Sequence, residues 1–245
     1  MAFFIAHSGP MEWTNSTFWI ALLEIVWVNI LLSGDNAVVI ALAARNLKPH
    51  HQRAAIVGGS FAAIVMRVLL TIFAVNLLQL PWLKFVGSLA LLYIGVQLLL
   101  GDDDKDDDEN TTSHSVWSAV RTILIADLVM SLDNVLAVAG AAASAPEAMR
   151  TPLLIIGLGL SVPLIVFGST LLLRLMERLP VIITLGAALL GWVAGEMALS
   201  DVGLLDWLRS QQSPLPAAEL AGAVGAGLVL LIGFWQRRRP AQSTP

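Results

Sequence analysis

The sequence predicts an all-α, polytopic membrane protein: seven transmembrane helices, built as a 3+3 inverted repeat plus one extra helix. Three observations carry that prediction. Apolar residues make up 57% of the chain and charged residues only 13%, against about 25% charged in soluble domains. Mean hydropathy is +0.78. Seven stretches are long and apolar enough to span a bilayer, and two of them carry the same polar motif.

A span needs about 20 mostly apolar residues. Residues 17–44, 54–78, 82–100, 116–142, 152–173, 181–200 and 218–235 qualify. Pro49, Pro81, Pro146, Pro180, Pro214 and Pro216 fall in the polar connectors, where proline suits helix ends. Gly191 with Gly195, and Ala223 with Gly227, are spaced for close helix packing. The chain reads as one membrane domain, 1–245. A first three-helix repeat covers 17–100 and an acidic cytoplasmic loop 101–115. The second repeat follows at 116–200, then the extra helix at 218–235 and a basic tail at 236–245.

Basic residues set the orientation. Arg45, Lys48, Arg53, Lys105, Arg121, Arg174, Arg178, Arg237, Arg238 and Arg239 fall on one side, and only Lys84, Arg150 and Arg209 on the other. The N-terminus is therefore expected outside and the C-terminus in the cytoplasm. Met1–Met11 lacks a basic segment of the signal-peptide kind. The net charge of −4 reflects mostly Asp102–Glu109, which reads as a solvated linker. No basic patch suggests nucleic acid. The absence of cysteine excludes disulfides, thiolate metal sites and Cys nucleophiles.

The repeated motif carries the chemistry. The stretch Asn29-Ile-Leu-Leu-Ser-Gly-Asp-Asn-Ala-Val-Val-Ile-Ala41 has a counterpart in the stretch from Asp127 to Ala139. Ser33, Asp35, Asn36 and Ala41 recur as Ser131, Asp133, Asn134 and Ala139, 98 residues on. A carboxylate in lipid costs about 2.5–3.5 kcal/mol on insertion scales, so such acids usually line a polar pathway. Three spans separate the two copies. An odd number reverses direction, and inverted repeats with interrupted helices meeting near midplane are a recurrent transporter architecture. The third and sixth spans agree weakly: Leu91-Leu92-Tyr93 then Gln97 resembles Leu189-Leu190 and Trp192 then Glu196.

Glu24, Asp35, Asp127, Asp133 and Glu196 are the candidate intramembrane acids, and Arg67 the one clear intramembrane base, a candidate counter-ion. That imbalance favours a cation, a proton or both. Asn29, Asn36 and Asn134 add amide oxygens, and Ser33 and Ser131 hydroxyls. An all-oxygen set suits magnesium, calcium or manganese(II). His7, His50, His51 and His114 fall outside the spans, which disfavours zinc and copper. In a regular helix Asn29 and Asn36 share a stripe, as do Asp127 and Asn134, with Asp35 and Asp133 about 100° away. A break near Ser33-Gly34 would turn Asp35 inward; Gly34 permits it, Leu132 less readily. Asp127 and Asn29 occupy equivalent repeat positions, but only Asp127 can carry charge, which makes it the candidate proton-coupling residue.

These segments resemble the signatures of the TerC family of integral membrane proteins, in its YjbE-like branch, which is similar to the wider LysE superfamily of exporters. Residues 29–44 resemble the first signature and residues 131–139 the second. The resemblance implies export of metal ions, chiefly manganese, with Asp35, Asn36, Asp133 and Asn134 as motif residues. Many members have Glu where this chain has Asn29, and related chains often have Lys at Gln97.

The expected function is secondary transport of a divalent cation, manganese(II) before others, out of the cytoplasm by alternating access, with proton exchange as coupling. Asp35 and Asp133 would be central ligands, with Asn36, Asn134, Asp127, Asn29 and Glu196 around them. Alternatives are an exporter of a small organic cation or amino acid, and a membrane scaffold assisting metal delivery to secreted proteins. No His-Glu-x-x-His or Gly-x-Ser-x-Gly motif occurs, so no enzyme activity and no cofactor are expected. Expected partners are membrane lipids, the divalent ion and further copies in a homo-oligomer. The expected location is the bacterial inner membrane.

Overall fold

Apolar runs become helices because a chain in lipid must satisfy its backbone polar groups internally. The computed structural model describes residues 16–77, 80–101, 109–143, 147–211 and 217–238; among them there is no strand. The helices are α1 (Ser16–Leu31), α2 (Gly34–Ala44), α3 (Pro49–Leu77), α4 (Leu83–Leu100), α5 (Glu109–Ala143), α6 (Glu147–Arg178), α7 (Val181–Leu199), α8 (Val202–Ser210) and α9 (Ala218–Arg237). Among the described residues five stretches are long and apolar enough to cross a membrane: Pro49–Thr71, Leu83–Leu100, Pro152–Arg178, Val181–Leu199 and Ala218–Arg237. In the first expected span, Phe18–Val28 and Gly34–Ala44 are apolar but shorter.

The two motif-bearing segments differ. Between α1 and α2 the helix is interrupted at Leu32-Ser33. Ser33 has φ −106° and ψ −3°, the bridge region, which any residue can adopt. Gly34 contributes no special conformation: its φ is not positive, and a Cβ there would meet open space. The glycine rationale for the break is therefore corrected; the break lies in Ser33. In the second copy α5 runs unbroken for 35 residues, about 52 Å. It begins at Glu109, so residues 109–115, expected as loop, are helical. Residues 102–108, including Lys105, lie outside the described residues, as do His7, Pro146, Pro214, Pro216 and the tail from Arg239 onward. The nine residues of α8 answer to no expected element, because a 20-residue window passes over them.

Small residues set the helix directions. A Cβ added at Gly59 of α3 would lie 2.8 Å from Ile123 Cδ1 of α5. Two turns on, Arg67 reaches Asp127 and Ser131, so α3 and α5 run parallel. On α6, Gly157 faces Ile25 and Gly168 faces Ala37, so α6 runs parallel to α1 and α2. Gly87 faces Met197 and Gly95 faces Leu190, making α4 and α7 antiparallel. Gly95 also faces Val229, and Gly233 faces Leu99, making α4 and α9 parallel.

Two of these contacts are one contact made twice. Gly157 lies 98 residues after Gly59, and Ile123 lies 98 after Ile25. The Gly–Ile pair recurs with the halves exchanged. The same exchange relates larger surfaces: α3 packs on α5 as α6 packs on α1 and α2, and α4 touches α5 as α7 touches α2.

The α7–α9 seam uses Gly191 and Gly195 as expected. A Cβ at Gly191 would lie 2.5 Å from Gly225 O, and one at Gly195 closer still to Ala221 O. On α9, however, Gly222, Gly225, Val229 and Gly233 form the buried face. Ala223 is exposed and Gly227 faces open space. The helical period places Ala223 and Gly227 off the stripe that begins at Gly222.

The two ends of the bundle are also fixed. At one, Gly101 (φ 79°) abuts the Arg45 and Asn46 side chains, and Arg237 Nη2 donates to Leu99 O. The ends of α2, α4 and α9 meet there. At the other, buried Asp201 accepts from the backbone N–H of Trp82 and Leu204 through Oδ1 (both 3.0 Å) and of Lys84 (3.1 Å) and Phe85 (3.3 Å) through Oδ2. One carboxylate thereby caps α4 and α8. Burial pushes its pKa up, but the four N–H donors outweigh that and hold it below the usual carboxylate value.

Candidate functional site

The interruption leaves Leu32 O at the end of α1, and both motif asparagines converge on it. Asn36 Nδ2 donates at 3.0 Å and Asn134 Nδ2, from α5, at 3.4 Å. The two residues are repeat equivalents. The Asn36 N–H turns instead to Asp35 Oδ1 at 2.8 Å. Two buried oxygens here, Ser33 Oγ and Asn36 Oδ1, have no hydrogen-bond partner among the described residues. Buried polar atoms are almost always satisfied, so a pair of unfilled acceptors at a helix break is a place for a cation or a proton donor.

Beside them lies a buried ion pair. Arg67 Nη2 of α3 is 2.5 Å from Asp127 Oδ1, and Arg67 Nε donates to Ser131 Oγ at 3.0 Å. Ser131 Oγ donates to Asp127 Oδ2 at 3.2 Å. Arg67, Asp127 and Ser131 are 2%, 6% and 0% exposed, so this network is sealed from solvent. It also explains why α5 does not break. Asp127 and Ser131 are one turn apart, and Arg67 ties both, closing that turn. The repeat-equivalent positions on α1 are Asn29 and Ser33, and Ser33 has no such tie. Asp35 is half-buried at the start of α2, next to Asn36.

The expected residues are thus gathered unevenly. Asp35, Asn36, Asn134, Asp127 and Arg67 come together where α2, α3 and α5 meet. Asp133 precedes Asn134 on α5, but its side chain lies outside the described residues, as does that of Asn29. Glu196 accepts from Trp192 Nε1 at 2.8 Å, and that ring covers Gly222 of α9. Its partner is at the α7–α9 seam, not at the Leu32 cluster. Glu24 is exposed on α1. Among the described residues no three His, Cys, Asp or Glu converge; the donors that do converge are mostly amides, hydroxyls and a carbonyl.

Sequence reasoning missed the Arg67–Ser131 tie and the Asp201 clamp. The second had a local signal, since an Asp directly before an apolar turn is an N-cap pattern. It also missed Ser60 and Ser169, buried with unpartnered hydroxyls on α3 and α6. Ser60 lies two turns before Arg67 on the same face of α3.

Apolar helices packed at glycines around a buried polar centre define a polytopic integral membrane protein. Comparison with known proteins agrees: the model of the integral membrane protein TerC family matches residues 14–241. The chain belongs to the TerC family. It is similar to YjbE of Bacillus subtilis, an uncharacterized membrane protein, with 46% identity over 74% of this chain and 80% of that one. It is also similar to YkoY of the same organism (27% identity, 73% of this chain, 61% of that one). The inner membrane protein YoaE of Escherichia coli is 24% identical over 88% of this chain and 42% of its own. No solved structure matches.

Proposed function

We propose that this protein is a secondary transporter that exports a hard divalent cation, chiefly manganese(II), from the cytoplasm across the bacterial inner membrane. The observation that carries the reading is the convergence of Asn36 and Asn134 on Leu32 O, with Ser33 Oγ and Asn36 Oδ1 buried and unfilled beside them. Oxygen donors without nitrogen or sulfur ligands favour manganese(II), magnesium or calcium over zinc or copper. Asp35 and Asp133 supply the charge that neutral amides lack.

The packing directions support seven crossings, with α1 and α2 sharing one. Every parallel and antiparallel contact agrees with strict alternation along the chain. The exchanged Gly59–Ile123 and Gly157–Ile25 contacts support an inverted repeat of α1–α4 with α5–α7, with α9 added. In this topology the end holding Arg45, Gly101 and Arg237 faces the cytoplasm, and Asp201 with α8 faces outward, which agrees with the bias of basic residues.

The test is flux through purified protein in vesicles, with manganese, calcium, zinc and lysine compared. Native protein should carry manganese. Asp35→Asn and Asp133→Asn, which keep side-chain size and remove charge, should each abolish that flux while still inserting. Lysine flux without manganese flux, or full manganese flux in both variants, would overturn the proposal.

A further inference from the structure

The exchanged Gly–Ile contacts fix the register between the halves, and that register exposes an asymmetry. The position equivalent to Arg67 on α3 is Ile165 on α6, and the position equivalent to Asp127 on α5 is Asn29 on α1. One half carries a buried ion pair; the other carries neither charge. Ile165 is itself buried, at 5% exposure, so a neutral side chain packs at this place in the fold. A buried ion pair is seldom needed for stability, since apolar replacements of similar size are often neutral or stabilising. Packing alone therefore does not account for the charged pair.

Its geometry suggests another task. Arg67 holds Asp127 Oδ1, and Ser131 holds Oδ2. Both carboxylate oxygens carry a bond within the pair and its serine, and the residue is buried, so Asp127 is turned toward Arg67 rather than toward a cargo ion. Its charge is cancelled within the pair. We infer that Arg67 is a specificity-determining positioning residue: a tethered cation that withholds Asp127 from the cargo and sets the charge of the site to match a divalent ion. The inference rests on the reading above that Asp35 and Asp133 hold the cargo. Three acids and one arginine leave two negative charges, which one divalent ion balances. Without Arg67 the same acids would suit a trivalent ion.

The experiment is equilibrium binding to the purified full-length chain in detergent. Manganese(II) is read from the spin-resonance signal of the free ion, and terbium(III), a hard trivalent probe, from its luminescence. One unit of charge within about 12 Å, at an effective dielectric near 20, shifts divalent binding by about a hundredfold or more, and trivalent binding by about tenfold beyond that. Asp127→Asn, which leaves Arg67 uncompensated, should weaken manganese binding by about a hundredfold and terbium binding by about tenfold more. Adding Arg67→Ile to it recreates the pairing of the other half and should restore both affinities to within about threefold. Arg67→Ile alone should raise the preference for terbium over manganese by about tenfold. If Arg67→Ile does not fold, the other two variants still decide. A terbium-to-manganese preference that is the same in native protein, Asp127→Asn and the double variant makes the pair structural and sinks the inference. Native protein that binds neither ion instead overturns the cation site on which the inference rests.

Discussion

Asp201→Ala should loosen the end of the bundle where α4 and α8 begin, and the size of the effect follows from the clamp. The carboxylate is buried at 1% exposure and takes four backbone N–H groups, three from the start of α4 and one from α8. A helix cap contributes about 1 kcal/mol, and hydrogen bonds to a charged group about 1.5–3 kcal/mol. The four bonds share one acceptor and are not additive, so a loss of about 4 kcal/mol is expected for Ala. Asp201→Asn keeps an acceptor for Trp82 and Leu204 but turns an NH₂ toward Lys84 and Phe85, which predicts about half that loss. For a chain of this size each kcal/mol moves the midpoint by about 2–4 °C. Thermal unfolding in detergent, followed by tryptophan fluorescence, should then show drops of about 12 °C and about 6 °C. The pH dependence has a defined sign. Because the folded-state pKa is depressed, the clamp contributes fully above the unfolded carboxylate value of about 3.9 and is lost as pH falls through the lower folded value. Asp201→Ala melting within about 2 °C of the native chain would refute the assignment of the clamp.

Two further outcomes test the architecture. Cysteines placed singly at exposed Asn46 and Ser210 of this Cys-free chain should label from opposite faces of intact cells, Ser210 from outside; labelling from the same face would contradict the alternation of helices. Gly59→Val and Gly157→Val press the same side-chain type against Ile123 and Ile25 respectively. Each should destabilise by about 1–3 kcal/mol in the same melting assay, and a loss confined to one of them would argue against equivalent halves.

What the sequence determined by itself was whatever local composition and repetition encode. Mean hydropathy and the long apolar runs dictated helices in a membrane, because hydrocarbon leaves the backbone no other partner. The doubled Ser-x-Asp-Asn marked Asn36 and Asn134, which meet at Leu32 O, and the small residues of α7 marked a close seam. The short amphipathic α8 escaped because it is local in a different way: nine residues do not register as a span. Tertiary structure alone decided which copy of the motif breaks. The two segments are nearly alike, and Gly34 suggested a reason that its open surroundings do not support. The difference lies 60 residues away on α3, where Arg67 ties Asp127 to Ser131 and holds α5 closed. Likewise, only packing separated Glu196, drawn to Trp192 at the α9 seam, from the asparagines that gather at Leu32 O. Hydropathy is a property of a segment, but a buried charge takes its role from its partner, and that partner is chosen by the fold.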